Sequence, residues 1–356
     1  MNWISNPIQA ASEQYRTQAQ AQQNSLTKPL GSLGRLEQIA VDLAAIQSTN
    51  TPAADTIGIH IFAADHGVAA ENVSAFPQVV TGEMIRNFAA GGAAISVLAQ
   101  QLRAPLAVHN LGTVNVCGIN GLWVENETLK NVTHYQLGRG TANFCQQAAM
   151  TAEQLTRALE IGKLAAEASI NAGCNIIIGG EMGIANTTSA TALGCALLQL
   201  EPSILAGPGT GLNEQGIAHK CNVIAAALSK HMADKPPTLT ILQRLGGFEI
   251  AALVGFYIRA AQLRCAVLVD GFICSIAALV ATKIAPQCQG YLFLSHQSAE
   301  PGHHIICQAL KLEPLLNLGM RLGEGSGAAV AANLLQTACA LHNGMATFDQ
   351  AAISKE

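Results

Sequence analysis

The sequence predicts an α/β protein whose parallel sheet is covered by helices on both faces. Short, almost continuously apolar runs, such as Ile57–Ala64 and Asn175–Gly180, alternate with longer stretches of helical periodicity. A strand that is apolar on both sides must be covered on both sides, as in a parallel sheet between helix layers. The 33 glycines and 4% aromatic content of the 356 residues also suit tight helix–sheet packing and glycine-rich strand-to-helix turns.

The elements follow in order. Residues 7–47 read as two helices around a break at Thr27–Glu37, with Ser32 as N-cap of the second. The Thr/Pro/Ala stretch at 48–55 marks a boundary. Ile57–Ala64 is the first strand and ends in Asp65-His66-Gly67. One helical pattern covers Gly82–Arg103, and a strand follows at Ala107–Gly112. A helix over 151–172 precedes the strand Asn175–Gly180, and another helix opens at Asn186. Strands at Ala266–Gly271 and Tyr291–His296 complete the scheme. Ligands of such sheets bind beyond the C-terminal strand ends, so the chemistry is expected near Asp65-His66-Gly67, Gly180-Glu181, Asp270-Gly271 and Ser295-His296.

Composition excludes several classes of function. With 50% hydrophobic and 12% charged residues, the chain is no disordered tail protein, and so little charge hints at surface hidden in an oligomer. A net charge of -4 with no cluster of Lys and Arg argues against nucleic acid as a partner. The ten cysteines form no CxxC pair and sit among apolar neighbours. They read as free buried thiols of a reducing cytosol rather than zinc ligands or a disulfide framework. The N-terminus is too polar for a signal peptide, and the longest uncharged run, Gly325–Phe348, contains Asn, Gln, His and Ser. It reads as a buried helix, not a membrane span, so a soluble cytoplasmic protein is expected.

Four constellations could carry chemistry. In Gly179–Thr188, glycines at a strand–helix turn admit a ligand to the backbone, while Glu181 suits ribose hydroxyls. A plain turn capped by Asn186 and Thr187 is the alternative. In Ala206–Leu212, the density of glycines around Gly209 suggests an anion cradle, with Lys220 as a point charge for phosphate. The same loop loosely matches a dinucleotide fingerprint, without the preceding strand that fingerprint needs. In Met320–Gly327, Glu324 is the only anion between Glu313 and Asp349, set among glycines and apolar residues. Burying it unpaired costs several kcal/mol, about the scale that functional sites tolerate for a stronger base. The alternative is a helix N-cap satisfied by backbone N–H groups. Last, Asp65-His66 suggests a metal or a proton relay, but neighbouring strand residues point to opposite faces and no further ligands stand at metal spacing. His303-His304 reads as a surface or satisfied helix pair.

The segments TKPLGSLGRLE, ADHGV, FPQVVTGEM, GGEMGIANTTSA, LVDGF, SHQSAE and MRLGEGSGAA together resemble the nicotinate-nucleotide–dimethylbenzimidazole phosphoribosyltransferase family, across roughly residues 27–330. The resemblance implies a Rossmann-like large domain (51–325) and a small helical domain from both chain ends (1–50 and 326–356), assembled as a homodimer. It implies transfer of phosphoribose from nicotinate mononucleotide to 5,6-dimethylbenzimidazole, giving α-ribazole 5′-phosphate and nicotinate in cobalamin assembly, with no metal or organic cofactor. It assigns Glu324 as the catalytic base. Glu181, Gly183 and Lys220 fall at the phosphoribose or nicotinate side, Ser298 near the phosphate, and Phe76, Met84 and Leu322 against the aromatic base. Phe76 stands where many relatives carry Tyr, Glu83 where many carry Gln, and Leu30 where a second proline is frequent. The first two adjoin the base pocket, which leaves adenine, another benzimidazole or a phenolic compound open as the acceptor. Two rivals remain at this point: a dinucleotide-dependent oxidoreductase using Gly207–Gly211, and a base-binding protein in which Glu324 holds a ring N–H without turnover.

Overall fold

The computed structural model describes residues 2–114 and 129–354, so Cys117 lies outside the described residues. Six parallel strands form one sheet: β1 (Ile57–Ala64), β2 (Leu106–Gly112), β3 (Val132–His134), β4 (Ile176–Met182), β5 (Ala266–Val269) and β6 (Leu292–Leu294). Helices α1 (Glu13–Ser25) and α2 (Arg35–Gln47) precede β1, while α3 (Val79–Ala90) and α4 (Ala94–Leu102) link it to β2. Helix α5 (Ala152–Asn171) leads into β4. Between β4 and β5 run α6 (Asn186–Leu198), α7 (Pro202–Leu205), α8 (Glu214–His231), α9 (Thr238–Leu245) and α10 (Phe248–Gln262). Helix α11 (Phe272–Ile284) joins β5 to β6, and α12 (His303–Leu310) and α13 (Ser326–Gly344) follow.

The strand order is β3-β2-β1-β4-β5-β6. The chain builds outward from β1 to one edge, then returns beside β1 and builds toward the other. This is the Rossmann-like doubly wound order, and it opens a crevice where the direction reverses, between the C-terminal ends of β1 and β4. Register there pairs Phe62 with Glu181 and Ala63 with Met182.

All eight residues of β1 are buried, which requires cover on both faces. Adjacent glycines of β4 show what lies on each. A Cβ on Gly179 would meet Leu253 and Phe256 of α10, whereas one on Gly180 would meet the backbone of Glu324 and Gly325 just before α13. On the α10 side, β1 and β2 carry a buried polar chain. Ser169 Oγ lies 2.7 Å from His60 Nε2, His60 Nδ1 lies 2.8 Å from His109 Nε2, and His109 Nδ1 lies 3.1 Å from Tyr135 Oη. Burial lowers His60 to about 3 and His109 to about 4, so both rings stay neutral and share their hydrogen bonds inside the core.

Three local differences from expectation have physical causes. The helix expected over Gly82–Arg103 is two, because Gly91 caps α3 in the left-handed conformation at φ 86°. Helix α2 starts at Arg35 behind Gly34 rather than at Ser32. There Glu37, not a serine, organises the turn: it accepts the Leu33 N–H at 3.0 Å and pairs with buried Lys28 at 2.7 Å. The short edge strand β3 escaped the sequence reading, since three residues carry no usable period. The chain ends meet, with Gln23 Nε2 2.8 Å from His342 Nδ1 and an antiparallel bridge between Leu26 and Thr347.

Helices α5 and α10 cross through reciprocal glycines. A Cβ on Gly162 would lie 2.7 Å from the Ala252 carbonyl carbon, and one on Gly255 would lie 2.9 Å from that of Leu159. Gly162→Ala is therefore expected to force the helices apart, costing about 1–3 kcal/mol in urea-unfolding stability. A midpoint equal to that of the wild type would show that the crossing relaxes freely.

Candidate active site

The crevice at the strand reversal contains a cleft of about 290 Å³. Its walls are the turn from β4 into α6, the glycine-rich loop at Gly209 and Thr210, the turn from β5 into α11, the segment His296–Glu300 after β6, and Arg321–Gly323. Parallel topology puts the N-termini of α6 and α11 at this edge, where free N–H groups and the helix dipoles favour negative charge. Within this frame Glu181, Gly183, Gly209, Ser298, Phe76 and Leu322 all line the cleft.

Glu181 ends β4 and is buried, with Asn186 Nδ2 donating to its Oε2. Asn186 thus serves Glu181 and does not cap α6, whose N-cap is Ala185 at φ 74° without a side-chain bond. Burial, then Asp270 and Glu249, push the Glu181 carboxyl up to about 8. At neutral pH it is mostly the neutral acid, so it offers a donor as well as an acceptor, not two carboxylate acceptors. Gly183 packs against the Ala64 carbonyl and stands beside the His66 ring, leaving no space for a side chain.

Glu324 is buried in an arch of three successive left-handed residues, Gly323, Glu324 and Gly325, at φ 86°, 63° and 77°. A non-glycine residue held there costs about 1–3 kcal/mol, and such strain persists only where surrounding contacts impose it. Its Oε2 has no hydrogen-bond partner among the described residues. Burial raises its proton affinity, Asp270 adds to the rise, and the Ile95 backbone N–H opposes it. Glu324 does not cap α13, whose N-cap is Gly325 and whose amides bond Asp270; the backbone amide that engages Glu324 is that of Ile95, in the first turn of α4.

Lys220 on α8 is fully buried beneath the glycine-rich loop, with Nζ 2.9 Å from Thr187 Oγ1 and 3.4 Å from the Gly207 carbonyl. A Cβ on Gly209 would stand 2.8 Å from Thr187 Oγ1 and 3.6 Å from Lys220 Nζ, and Gly209 itself adopts φ 53°. Burial lowers Lys220 to about 8, while Glu300 pulls it back up. Glu300, raised by burial, is held by Lys220, the Gly209 backbone and Arg321. The loop follows α7 rather than β1, which removes the structural basis of the dinucleotide reading.

Ser298 Oγ accepts the Glu300 N–H at 3.3 Å, and the Ser298 N–H donates to His303 Nδ1 at 2.8 Å. That bond leaves the ring proton of His303 on Nε2, 3.0 Å from Ser275 Oγ. His303 is thus a buried brace, whereas His304 beside it is on the surface. At the mouth, Phe76 and Leu322 are 51% and 58% exposed. Met84 is half-buried on α3 with its sulfur 4.0 Å from Asn87 Nδ2, and does not line the cleft. Asp65 and His66 point apart: Asp65 binds Thr81 Oγ1 at 2.7 Å and the Val114 N–H at 2.8 Å, and His66 Nε2 meets Glu249 at 2.6 Å. Sequence reasoning read Thr187 only as a cap and gave no role to Glu300 or Arg321, although all three lie within the quoted segments GGEMGIANTTSA, SHQSAE and MRLGEGSGAA.

The raised Glu181 makes stability depend on pH. The folded protein holds this proton more tightly than the unfolded chain, so the group costs stability as pH climbs from 4.5 to about 8. Glu181→Gln removes that slope. Urea midpoints of the wild type are expected to fall relative to the variant across this window and to level off above it. Parallel midpoints at every pH would place the Glu181 proton affinity near its ordinary value.

The family model described as Phosphoribosyltransferase matches residues 8–353. A protein of Pseudomonas aeruginosa strain UCBPP-PA14, named nicotinate-nucleotide–dimethylbenzimidazole phosphoribosyltransferase, is 52% identical over 354 residues, covering 99% of this chain and 98% of its own. One of the same name from Pseudomonas fluorescens strain Pf-5 is 54% identical over 353 residues, with the same coverage. The crystal structure of the enzyme so named from Thermus thermophilus superposes with a TM-score of 0.89 at 38% identity, covering 97% of this chain and all of that one. No helix among the described residues is long and apolar enough to cross a membrane. With the sheet order, the cleft and these matches in agreement along its length, the chain belongs to the nicotinate-nucleotide–dimethylbenzimidazole phosphoribosyltransferase family.

Proposed function

We propose that this protein transfers phosphoribose from nicotinate mononucleotide to 5,6-dimethylbenzimidazole or a related base, with Glu324 as the general base. The observation that carries the reading is the Glu324 carboxylate itself: buried, strained, one oxygen without a partner among the described residues, and next to a residue that lines the cleft. A ring nitrogen of the acceptor forms a bond to C1′ of the ribose. The C1′–nitrogen bond to nicotinate breaks, and its electron pair neutralises the pyridinium, so no acid is needed at the leaving group. The proton on the acceptor's other ring nitrogen passes to Glu324. Desolvation makes Glu324 a better base for that step. Attack opposite the leaving group turns a β- into an α-nucleotide, and holding both partners in the cleft supplies the proximity part of the rate.

The other assignments follow from position. Glu181 and Gly183 suit the ribose and nicotinate, and Gly209 with Lys220 an anionic oxygen. Ser298, beside the start of α11, suits the phosphate. Phe76 and Leu322 suit the flat acceptor; Met84, outside the cleft lining, keeps the acceptor-side place that the family pattern implies. The joined chain ends support a small helical unit from 1–50 and 326–356 beside a large one at 51–325. The low charge content supports a homodimer, and the unpaired cysteines support a cytoplasmic location.

Purified protein given nicotinate mononucleotide and 5,6-dimethylbenzimidazole is expected to yield nicotinate and α-ribazole 5′-phosphate in equal amounts by chromatography. Glu324→Gln should lower kcat by about 10²–10⁴-fold with KM for the mononucleotide unchanged; turnover like that of the wild type removes Glu324 from the role. Loss of one charge-assisted contact in Lys220→Met, at about 1.5–3 kcal/mol, should raise KM for nicotinate mononucleotide at least about tenfold. An unchanged KM would detach Lys220 from substrate.

A further inference from the structure

Helix α13 begins without a cap of its own. Its N-cap is Gly325, which has no side chain to offer the first-turn amides. Those amides are served instead by Asp270, which lies 55 residues upstream at the end of β5. Each of its carboxylate oxygens takes one amide, with Oδ2 accepting the Gly325 N–H at 3.1 Å and Oδ1 the Ala328 N–H at 3.0 Å. Asp270 is buried, and His296 Nδ1 stands 3.7 Å from Oδ1. Asp270 does not line the cleft, but it grips the residue next to Glu324 and the first turn beyond.

We propose that Asp270 is a positioning residue for Glu324, holding the left-handed Gly323–Gly325 arch so that the Glu324 carboxylate faces the reacting base. Three features make the arch dependent on this grip. Glu324 occupies a backbone region that its side chain disfavours, so it relaxes unless held. Gly180 of β4 leaves the Glu324–Gly325 backbone in direct contact with the sheet, which blocks retreat on one side. On the other, Gly327 packs against the His296 ring, which fixes the entry of α13. Between these stops, Ser326 Oγ closes the arch on the Gly323 carbonyl at 2.7 Å and the Ile95 amide meets Glu324, while the two bonds to Asp270 tie the arch to the end of β5.

The proposal rests on Glu324 being the base, and the experiment separates the two ideas. Asp270→Asn has the same size, but its amide N–H groups oppose one of the backbone donors. Measured in the full-length protein, it is expected to lower kcat by about 10–100-fold, part of the 10²–10⁴-fold that a general base supplies. KM for nicotinate mononucleotide should stay within about twofold, since catalysis and not ground-state binding is lost. The decisive comparison is the same change made in a Glu324→Gln background. Because the two residues act as a unit there, the double variant should be no slower than Glu324→Gln alone. An equal loss in both backgrounds, or a loss confined to KM, overturns the proposal, while Glu324→Gln with full activity overturns the base assignment instead. If Asp270→Asn does not fold, Asp270→Glu keeps the charge and displaces it by one methylene, with the same background dependence expected. Failure of both to fold would also overturn it, making Asp270 a support of the fold rather than of the base.

Discussion

The rest of the site depends on how the fold tolerates buried negative charge at the reversal of strand order. Glu181, Asp270 and Glu324 lie where β4, β5 and the start of α13 converge; Asp270, Glu249 and Glu324 raise the proton affinity of Glu181, and Asp270 raises that of Glu324. Isolated carboxylates in such a place would be prohibitive. Here backbone amides take the role that lysine or arginine plays at a surface: Gly325 and Ala328 for Asp270, and Ile95 for Glu324. What the amides leave uncompensated appears as raised proton affinity, which a general base can use. Lys220 is kept apart under the glycine-rich loop, engaged with Thr187 and influenced by Glu300.

Backbone conformation is the means by which this arrangement is built. Gly180 exists in β4 because the Glu324–Gly325 backbone lies directly upon it, and Gly183 because the turn passes against the Ala64 carbonyl. Left-handed residues at Ala185 and Glu324 open α6 and α13 toward the cleft, and neither side chain caps its own helix. The polar groups that do the capping and bracing, Asp270 and His303, come from other segments. The site is thus assembled across the sheet and cannot form before β4, β5 and the segment after β6 are in register.

That assembly explains what the sequence made legible. Ile57–Ala64, the opening of α6 at Asn186 and the run that becomes α13 were readable because period and punctuation are local properties. The anomaly of Glu324 was readable too, as a lone charge among glycines. The partner of an atom was not. Nothing in the spacing of Asp270 and Gly325 signals a hydrogen bond, nor does that of Ser298 and His303. A capping role for Asn186 was a sound local inference, and it failed because Glu181 competes for the same side chain. Likewise Ser32 lost its expected role to Glu37, whose carboxylate is anchored by Lys28 outside the helix.

The division between buried wall and exposed rim bears on selectivity. Glu181, Lys220, Ser298 and Glu324, argued to serve the reacting atoms or the phosphoribose, are all locked by burial, on the end of β4, within α8 and in the segments around the crevice. Phe76 and Leu322, argued to meet the acceptor, stand at the exposed mouth, free of polar constraint and open to substitution. An apolar rim distinguishes flat rings that differ by one methyl group by only about 1–3 kcal/mol. The chemistry of transfer is therefore set by elements that cannot drift without unfolding the crevice. On the assignment proposed above, choice of acceptor falls instead to side chains at the exposed mouth of the cleft.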